Sequence, residues 1–308
     1  MFNMTYPGSA SALIAAHRRG VNVRVLINYE SGGKQYKALV KALGTNTKNR
    51  SWVKHRAGKI RMHSKFLLAS ESNGKKLVVW TASGNMTKRG VGQANDALIT
   101  TGDKALYDFL NDQFTLLRKG TTSNKKLGRT AVTATSIVQT YPIANGGPDN
   151  DPVLDMLNDV QCVHGEENTI VRLAQLYLTD ERGYLVDRLR ELKAEGCDVR
   201  IIGHEECYYP PVPENLTAAG DGKIKLYFLK GYALHNKITT ITGWDAAGAP
   251  LKIAMVGSHN LSLRALTSHE VGTNDELSLI IWNPDLVDQY NDYVDDVIKN
   301  HSKVYKKK

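Results

Sequence analysis

With 308 residues, 42% of them hydrophobic and 23% charged, the chain is long enough for two ordinary domains or one duplicated domain. Its longest apolar runs, such as Leu77-Val78-Val79-Trp80, are far too short to cross a bilayer, which excludes a membrane-spanning helix. The net charge of +9 is uneven: residues 1–150 carry 23 Lys and Arg against 7 Asp and Glu, and residues 151–308 carry 17 against 24. A basic half suits an anionic partner such as nucleic acid, a membrane surface or a phosphate-bearing substrate, or it serves solubility alone.

The chain starts abruptly. Residues 1–20 have neither a basic region nor a long apolar core, so they do not read as a signal peptide as they stand, and a leader or extra strand ahead of them is left open. From Ala12 to Leu26 the pattern is a helix, a closing glycine at Gly20 and a β-branched strand. The same helix–Gly–strand pattern returns at Leu189 to Ile202, around Gly196. This form implies α/β layers with a buried, largely parallel sheet.

Downstream the first half predicts a strand through Met62–Leu68, a turn at Ser72-Asn73-Gly74, strands at Lys76–Thr81 and Ala97–Thr100, and a helix over Lys104–Leu117. A Gly-, Ser-, Thr- and Lys-rich stretch, 120–129, then marks a boundary, giving units 1–128 and 129–308. Residues 131–140 read as a strand, 145–152 as a loop before a helix, and 204–215 as a long irregular loop. The second half predicts strands at Leu234–Ile241, Leu251–Val256 and Leu277–Trp282, a turn over 244–250, and a helix over Pro284–Asn300. One α/β unit repeats.

The three cysteines, Cys162, Cys197 and Cys207, are too few for a disulfide framework or a zinc site. Cys197 and Cys207 can pair in an oxidising compartment or act as small buried residues.

The repeat carries chemistry. His63-Ser64-Lys65 is followed by Ser83-Gly84-Asn85 and then Asn95-Asp96; His235-Asn236-Lys237 is followed by Ser258-His259-Asn260 and then Asn274-Asp275-Glu276. A lone His-x-Lys means little, and His301-Ser302-Lys303 is one with no such sequel. On a strand, residues two apart share a face, so His63 projects with Lys65, His235 with Lys237, Ser83 with Asn85 and Ser258 with Asn260. Packed about a pseudo-twofold axis, the halves would offer one phosphate two imidazoles, two ammonium groups, two amides and two hydroxyls. Such donors stabilise developing negative oxygen; no metal-ligand spacing is present, and no cofactor is expected. One histidine attacks phosphorus, the other protonates the leaving oxygen. Asp96 and Asp275, with Glu276 competing for the latter's place, are candidates to orient the rings.

With these motifs the chain resembles the phospholipase D superfamily over nearly its full length. The resemblance implies two fused α/β/α sandwich units about a pseudo-twofold axis, metal-independent phosphohistidine chemistry, His63 as nucleophile and His235 as general acid. It implies a monomer, both motifs lying in one chain, and favours a secreted origin. The chain departs from the family at the motif aspartate, replaced by Ser70 and Thr242, which predicts an altered turn contact. The first expectation is a phosphodiesterase acting on phospholipid head groups, with the basic half meeting an anionic membrane surface. The alternatives are a nuclease acting on DNA or RNA, and a phosphate-binding protein without activity.

Overall fold

In both halves a left-handed glycine (Gly20, φ 92°; Gly196, φ 103°) turns an amphipathic helix into a buried strand, a conformation that costs residues with a Cβ. The computed structural model describes residues 3–28, 33–58, 60–268 and 272–307. Helix Pro7–Arg18 leads to strand Arg24–Ile27, and helix Gly183–Ala194 to strand Asp198–Gly203. Each strand has a parallel neighbour, Trp52–His55 in the first unit and Leu226–Leu229 in the second.

Three antiparallel strands complete each repeat: Phe66–Ser72, Lys75–Ala82 and Ala97–Thr100 in the first, and Lys237–Asp245, Pro250–Gly257 and Asn274–Ile281 in the second. Asn73 and Gly74, both at positive φ, form the tight hairpin turn expected there. A terminal helix follows in each, Lys104–Arg118 and Pro284–His301. Both are capped by the side chain before them: Asp103 accepts from the Leu106 N–H at 2.9 Å and Asn283 from the Leu286 N–H at 3.1 Å.

The large mixed sheet has eleven strands, ten of them from the second unit, with Ser136–Tyr141 and Thr130–Val132 among them at one edge. Arg61–Met62 of the first unit joins this sheet, and the first unit's other strands form two smaller sheets, of two and three strands. The chain is thus a mixed α/β protein of two fused α/β units. One apolar cluster joins them, taking Val79, Leu98, Leu106 and Leu110 from the first and Ile238, Val256, Leu277 and Val294 from the second.

Several expectations are corrected. The strand anticipated through Met62–Leu68 is broken at the motif, since Arg61–Met62 pairs with Asn274-Asp275 and Phe66–Ser72 with Lys75–Ala82. The backbone there passes from one unit's sheet to the other's: the His63 N–H donates to Asp275 O, and Lys65 O accepts from the Ala82 N–H. Likewise the strand expected from Leu234 joins its ladder only at Lys237. Residues 131–140 are a hairpin, because the Thr133 hydroxyl accepts from the Ser136 N–H at 3.1 Å and closes a turn. The loop over 204–215 contains a short 3-10 turn, Glu205–Cys207, and the start of helix Val212–Thr217. Cys197 pairs with Cys162, leaving Cys207 a buried thiol. Parallel pairing of Ile170 with Asp198 brings the 162 segment to the end of helix Gly183–Ala194.

Candidate active site

The crossing backbone puts both His-Lys segments at the junction between units, and it does so reciprocally. The His63 N–H donates to Asp275 O at 3.1 Å, and the His235 N–H to Ala94 O at 2.8 Å. Each motif therefore hangs on the main chain of the other unit, His63 on strand Asn274–Ile281 and His235 on the bridge residue Ala94, which is the pseudo-twofold arrangement.

All four motif side chains are buried, with His63 8%, Lys65 1%, His235 7% and Lys237 2% exposed. Each lysine folds back onto its own histidine's carbonyl: Lys65 Nζ donates to His63 O, and Lys237 Nζ to His235 O at 2.7 Å. Lys237 Nζ also lies 3.3 Å from His235 Nδ1. Burial holds both imidazoles well below their usual range, and the charges of both Lys65 and Lys237 add to that in each case. One pair of ammonium groups thus acts on both rings. Burial brings Lys65 down to about 8, against the opposing pull of Glu276, Asp275 and Asp96. Lys237 is lowered by burial and then by Lys65.

Of the three candidate carboxylates, Glu276 is the one that meets a ring, and Asp96 and Asp275 do other work. His63 Nδ1 meets Glu276, at 2.8 Å from Oε2 and 2.7 Å from Oε1. Asp275 instead accepts from the Ser64 hydroxyl. Asp96 accepts the Lys237 backbone N–H at 2.9 Å, so it braces the second motif's main chain rather than a ring. Burial raises Glu276 to about 7, with Lys65 the main opposing influence. It raises Asp275 to about 6, opposed first by Arg56.

The ladders also correct the alignment of the repeats. Asp275 O and Ala94 O are equivalent acceptors, and the Leu277 and Asp96 N–H groups both donate to a motif serine, Ser258 and Ser83. Glu276 therefore corresponds to Asn95, not to the residue after Asp96. The Asn95 amide turns to Gly90 O and Gln93 O, at 2.7 and 2.9 Å. The two histidines are unequal: a carboxylate faces His63 Nδ1, an ammonium faces His235 Nδ1.

Ser83 and Ser258, expected to meet phosphate, are engaged within the protein. Ser83 Oγ donates to Asp96 O at 3.3 Å, and Ser258 Oγ to Glu276 Oε2 at 2.6 Å. The motif amides differ from them. Asn85 Oδ1 and Asn260 Oδ1 are buried with no hydrogen-bond partner among the described residues. An unpartnered buried amide at both equivalent positions fits a polar ligand.

One group behind the site had no sequence signal. Arg182 and Asp151 form a fully buried ion pair at 2.7 Å. Arg182 Nη1 reaches Asn260 O and His259 Nε2, each at 3.4 Å, and His259 stacks on Tyr141 with ring centroids 4.1 Å apart. His259 lies inside the motif, just past the end of strand Pro250–Gly257, and packs on Tyr141 and Arg182.

Among the described residues no group of three or more His, Cys, Asp or Glu side chains could hold a metal ion, and no helix is long and apolar enough to cross a membrane.

The family described as cardiolipin synthase, PLD-like domain, matches residues 1–118 and 167–298. No curated protein sequence matches the chain. Among solved structures, the polyphosphate kinase of Porphyromonas gingivalis superposes with a TM-score of 0.64 at 13% identity, over 99% of this chain and 47% of the kinase. The chain thus spans about half of that protein's length. The phosphatidylserine synthase of Haemophilus influenzae Rd KW20 superposes with a TM-score of 0.61 at 12% identity, over 99% of this chain and 81% of the synthase. At these identities the likeness is one of fold.

Proposed function

Because the chain belongs to the cardiolipin synthase, PLD-like domain family, we propose that it is a phosphodiesterase of the phospholipase D type, transferring or hydrolysing the head group of phospholipids. The observation that carries this reading is the reciprocal anchoring of the two His-Lys segments on each other's units, with both lysine charges felt at both imidazoles.

In this reading His63 Nδ1–H donates to ionised Glu276, leaving the Nε2 lone pair to attack phosphorus. The P–O bond to the leaving alcohol breaks as His235 gives that oxygen a proton, and a phosphohistidine forms. His235 then takes a proton from water or an acceptor alcohol, whose oxygen displaces His63 from phosphorus. Lys65, Lys237, Asn85 and Asn260 hold the non-bridging oxygens, where the transition state gathers charge. In the resting site His235 is held neutral by burial and Lys237; a bound phosphodiester anion opposes both effects and favours the protonated acid.

The description of the matching family favours a phospholipid, and with it transfer to an alcohol beside hydrolysis. The test is head-group release from mixed phospholipid vesicles in EDTA, run beside His63→Ala and His235→Ala. Release by the wild type and not by the variants supports the proposal. Equal turnover by all three sinks it.

One observation favours nucleic acid as a second reading. Arg18, Arg19, Arg24, Lys34, Lys37, Lys41, Lys48 and Arg50 are all exposed, and Glu30 is the one acidic residue of the sequence from 3 to 58. Such a surface also suits an anionic bilayer. Steep loss of oligonucleotide binding as salt rises, with cleavage of the oligonucleotide, would favour the nuclease.

A further inference from the structure

Strand Asn274–Ile281 of the second unit is flanked on both sides, by Pro250–Gly257 and Ser136–Tyr141. Its first-unit counterpart, Ala97–Thr100, pairs only with Lys75–Ala82 among the described residues. A cleft of about 440 Å³ lies between Ala97–Thr100 and helix Pro284–His301. Ile99 stands on the strand, Leu286, Tyr290 and Tyr293 on the helix, and Asp96 and Asn236 also line the cleft. None of His63, Lys65, His235 and Lys237 does, so this space is separate from the catalytic one.

Asp96 is the unusual member of this wall. The equivalent position in the second unit is Leu277, a buried side chain of the apolar core. A carboxylate thus takes the place of a core leucine, and it is only 6% exposed. Its Oδ1 accepts the Lys237 N–H at 2.9 Å, but its Oδ2 has no hydrogen-bond partner among the described residues. A buried carboxylate oxygen without a donor is costly, and a ligand can supply the donor. The carboxylate is turned toward the aromatic wall, because burial raises Tyr290 and Tyr293 and the Asp96 charge raises both further.

We propose that this cleft binds a free organic amine, a primary ammonium ion on a small apolar body, with an N–H donated to Asp96 Oδ2 and the body packed on Ile99, Leu286 and the tyrosine rings. The lining selects this class. Asp96 is the one charged residue among the described residues that line the cleft, which disfavours an anion. The tyrosine hydroxyls are already engaged, Tyr290 donating to Ala97 O at 3.2 Å and Tyr293 meeting the Asn236 amide at 3.1 Å. The rings are therefore what the cleft offers, and aromatic faces attract cations. A quaternary ammonium has no N–H for Oδ2, whereas a primary one has three. The volume is that of a small-molecule site. Asp96 would then join the ligand to the main chain of Lys237, coupling this cleft to the catalytic one through a single carboxylate.

The test is isothermal titration of the whole chain at neutral pH with 2-phenylethylammonium, beside 2-phenylethanol and 3-phenylpropionate. The ammonium should bind at a single site about tenfold or more tighter than the alcohol, and the carboxylate should not bind. Ile99 is 64% exposed, so Ile99→Arg sets a fixed cation at the mouth without disturbing the core. It should weaken the ammonium by about tenfold or more. Asp96→Asn should bring the ammonium down to the level of the alcohol; where that variant fails to fold, Ile99→Arg decides. The proposal is overturned if the ammonium shows no saturable binding, if the alcohol binds as tightly, or if Ile99→Arg leaves the ammonium affinity unchanged. None of these readouts depends on phosphodiester turnover.

Discussion

Glu276 approaches His63 Nδ1 through both carboxylate oxygens, at 2.7 and 2.8 Å, from 213 positions further along the chain. Among the described residues no carboxylate stands in that relation to His235, whose Nδ1 faces Lys237 Nζ. A ring whose Nδ1–H is taken by a carboxylate presents a lone pair at Nε2, as a nucleophile must. A ring beside an ammonium group is suited to relay a proton. The asymmetry supports His63 as nucleophile and His235 as acid, and it can be tested.

Replacing His63 with Ala should abolish turnover of every phosphodiester, by about 10⁴-fold or more. Replacing His235 with Ala should cost as much on an ester with a poor leaving alcohol, but far less on a p-nitrophenyl ester, which needs no proton on departure. Steady-state rates on the paired substrates measure this. Radiolabelled phosphohistidine trapped in alkali should accumulate in the His235 variant alone. The opposite pattern would exchange the two roles.

Glu276→Gln should lower kcat by roughly 10²-fold with little change in KM, since it weakens orientation of the ring without touching substrate. Asn95→Ala, at the equivalent position of the first unit, should change kcat by less than about threefold because its amide nitrogen donates to the Gly90 and Gln93 carbonyls. A large effect at Asn95 would mean that it serves His235.

The pH dependence of kcat/KM should be bell-shaped. Below about 7 Glu276, raised by burial, takes up a proton and ceases to accept from His63. On the alkaline side Lys65, lowered by burial to about 8, loses the charge that meets phosphate, as does Lys237, lowered by burial and by Lys65. Activity should peak between these values and fall on both sides. The acid limb should disappear in Glu276→Gln and the alkaline limb should remain.

Arg182→Met should destabilise the fold by about 3–5 kcal/mol in urea unfolding, because it leaves the Asp151 carboxylate buried without its cation. Adding Asp151→Leu should recover much of that loss. If the single variant is as stable as the wild type, the pair does not support the wall behind His259 and Asn260.

Replacing Cys162 and Cys197 together with Ser should lower stability by about 2–4 kcal/mol, as expected for removing a link across 35 residues. Reductant should have the same effect on the wild type, and Cys207→Ser should leave that sensitivity unchanged.

Much of this was legible in the residues. The glycine-ended helices, the Asn73-Gly74 hairpin and the terminal helices follow from local periodicity and turn chemistry, which act over a few residues. The two His-x-Lys motifs, each followed by a Ser-x-Asn, located the buried histidines and lysines and the two unpartnered amides. Asp96 and Asp275 were chosen by matching Asn-Asp to Asn-Asp, and the match was two residues out of register. A ladder shift of two residues leaves every side chain on its original face, so alternation in the letters does not reveal it.

The sequence by itself determined the duplicated α/β unit and the paired histidines, because strand alternation and helix closure are properties of neighbouring residues. Only the tertiary structure decided that Glu276 serves His63, that Asp96 holds the backbone of Lys237, that Arg182 and Asp151 stand behind the second motif, and that Cys162 pairs with Cys197. Those partners lie between 31 and 213 residues apart. They meet because packing the two apolar faces into one core brings each unit's strand ends against the other's, and no local pattern encodes where such distant segments cross.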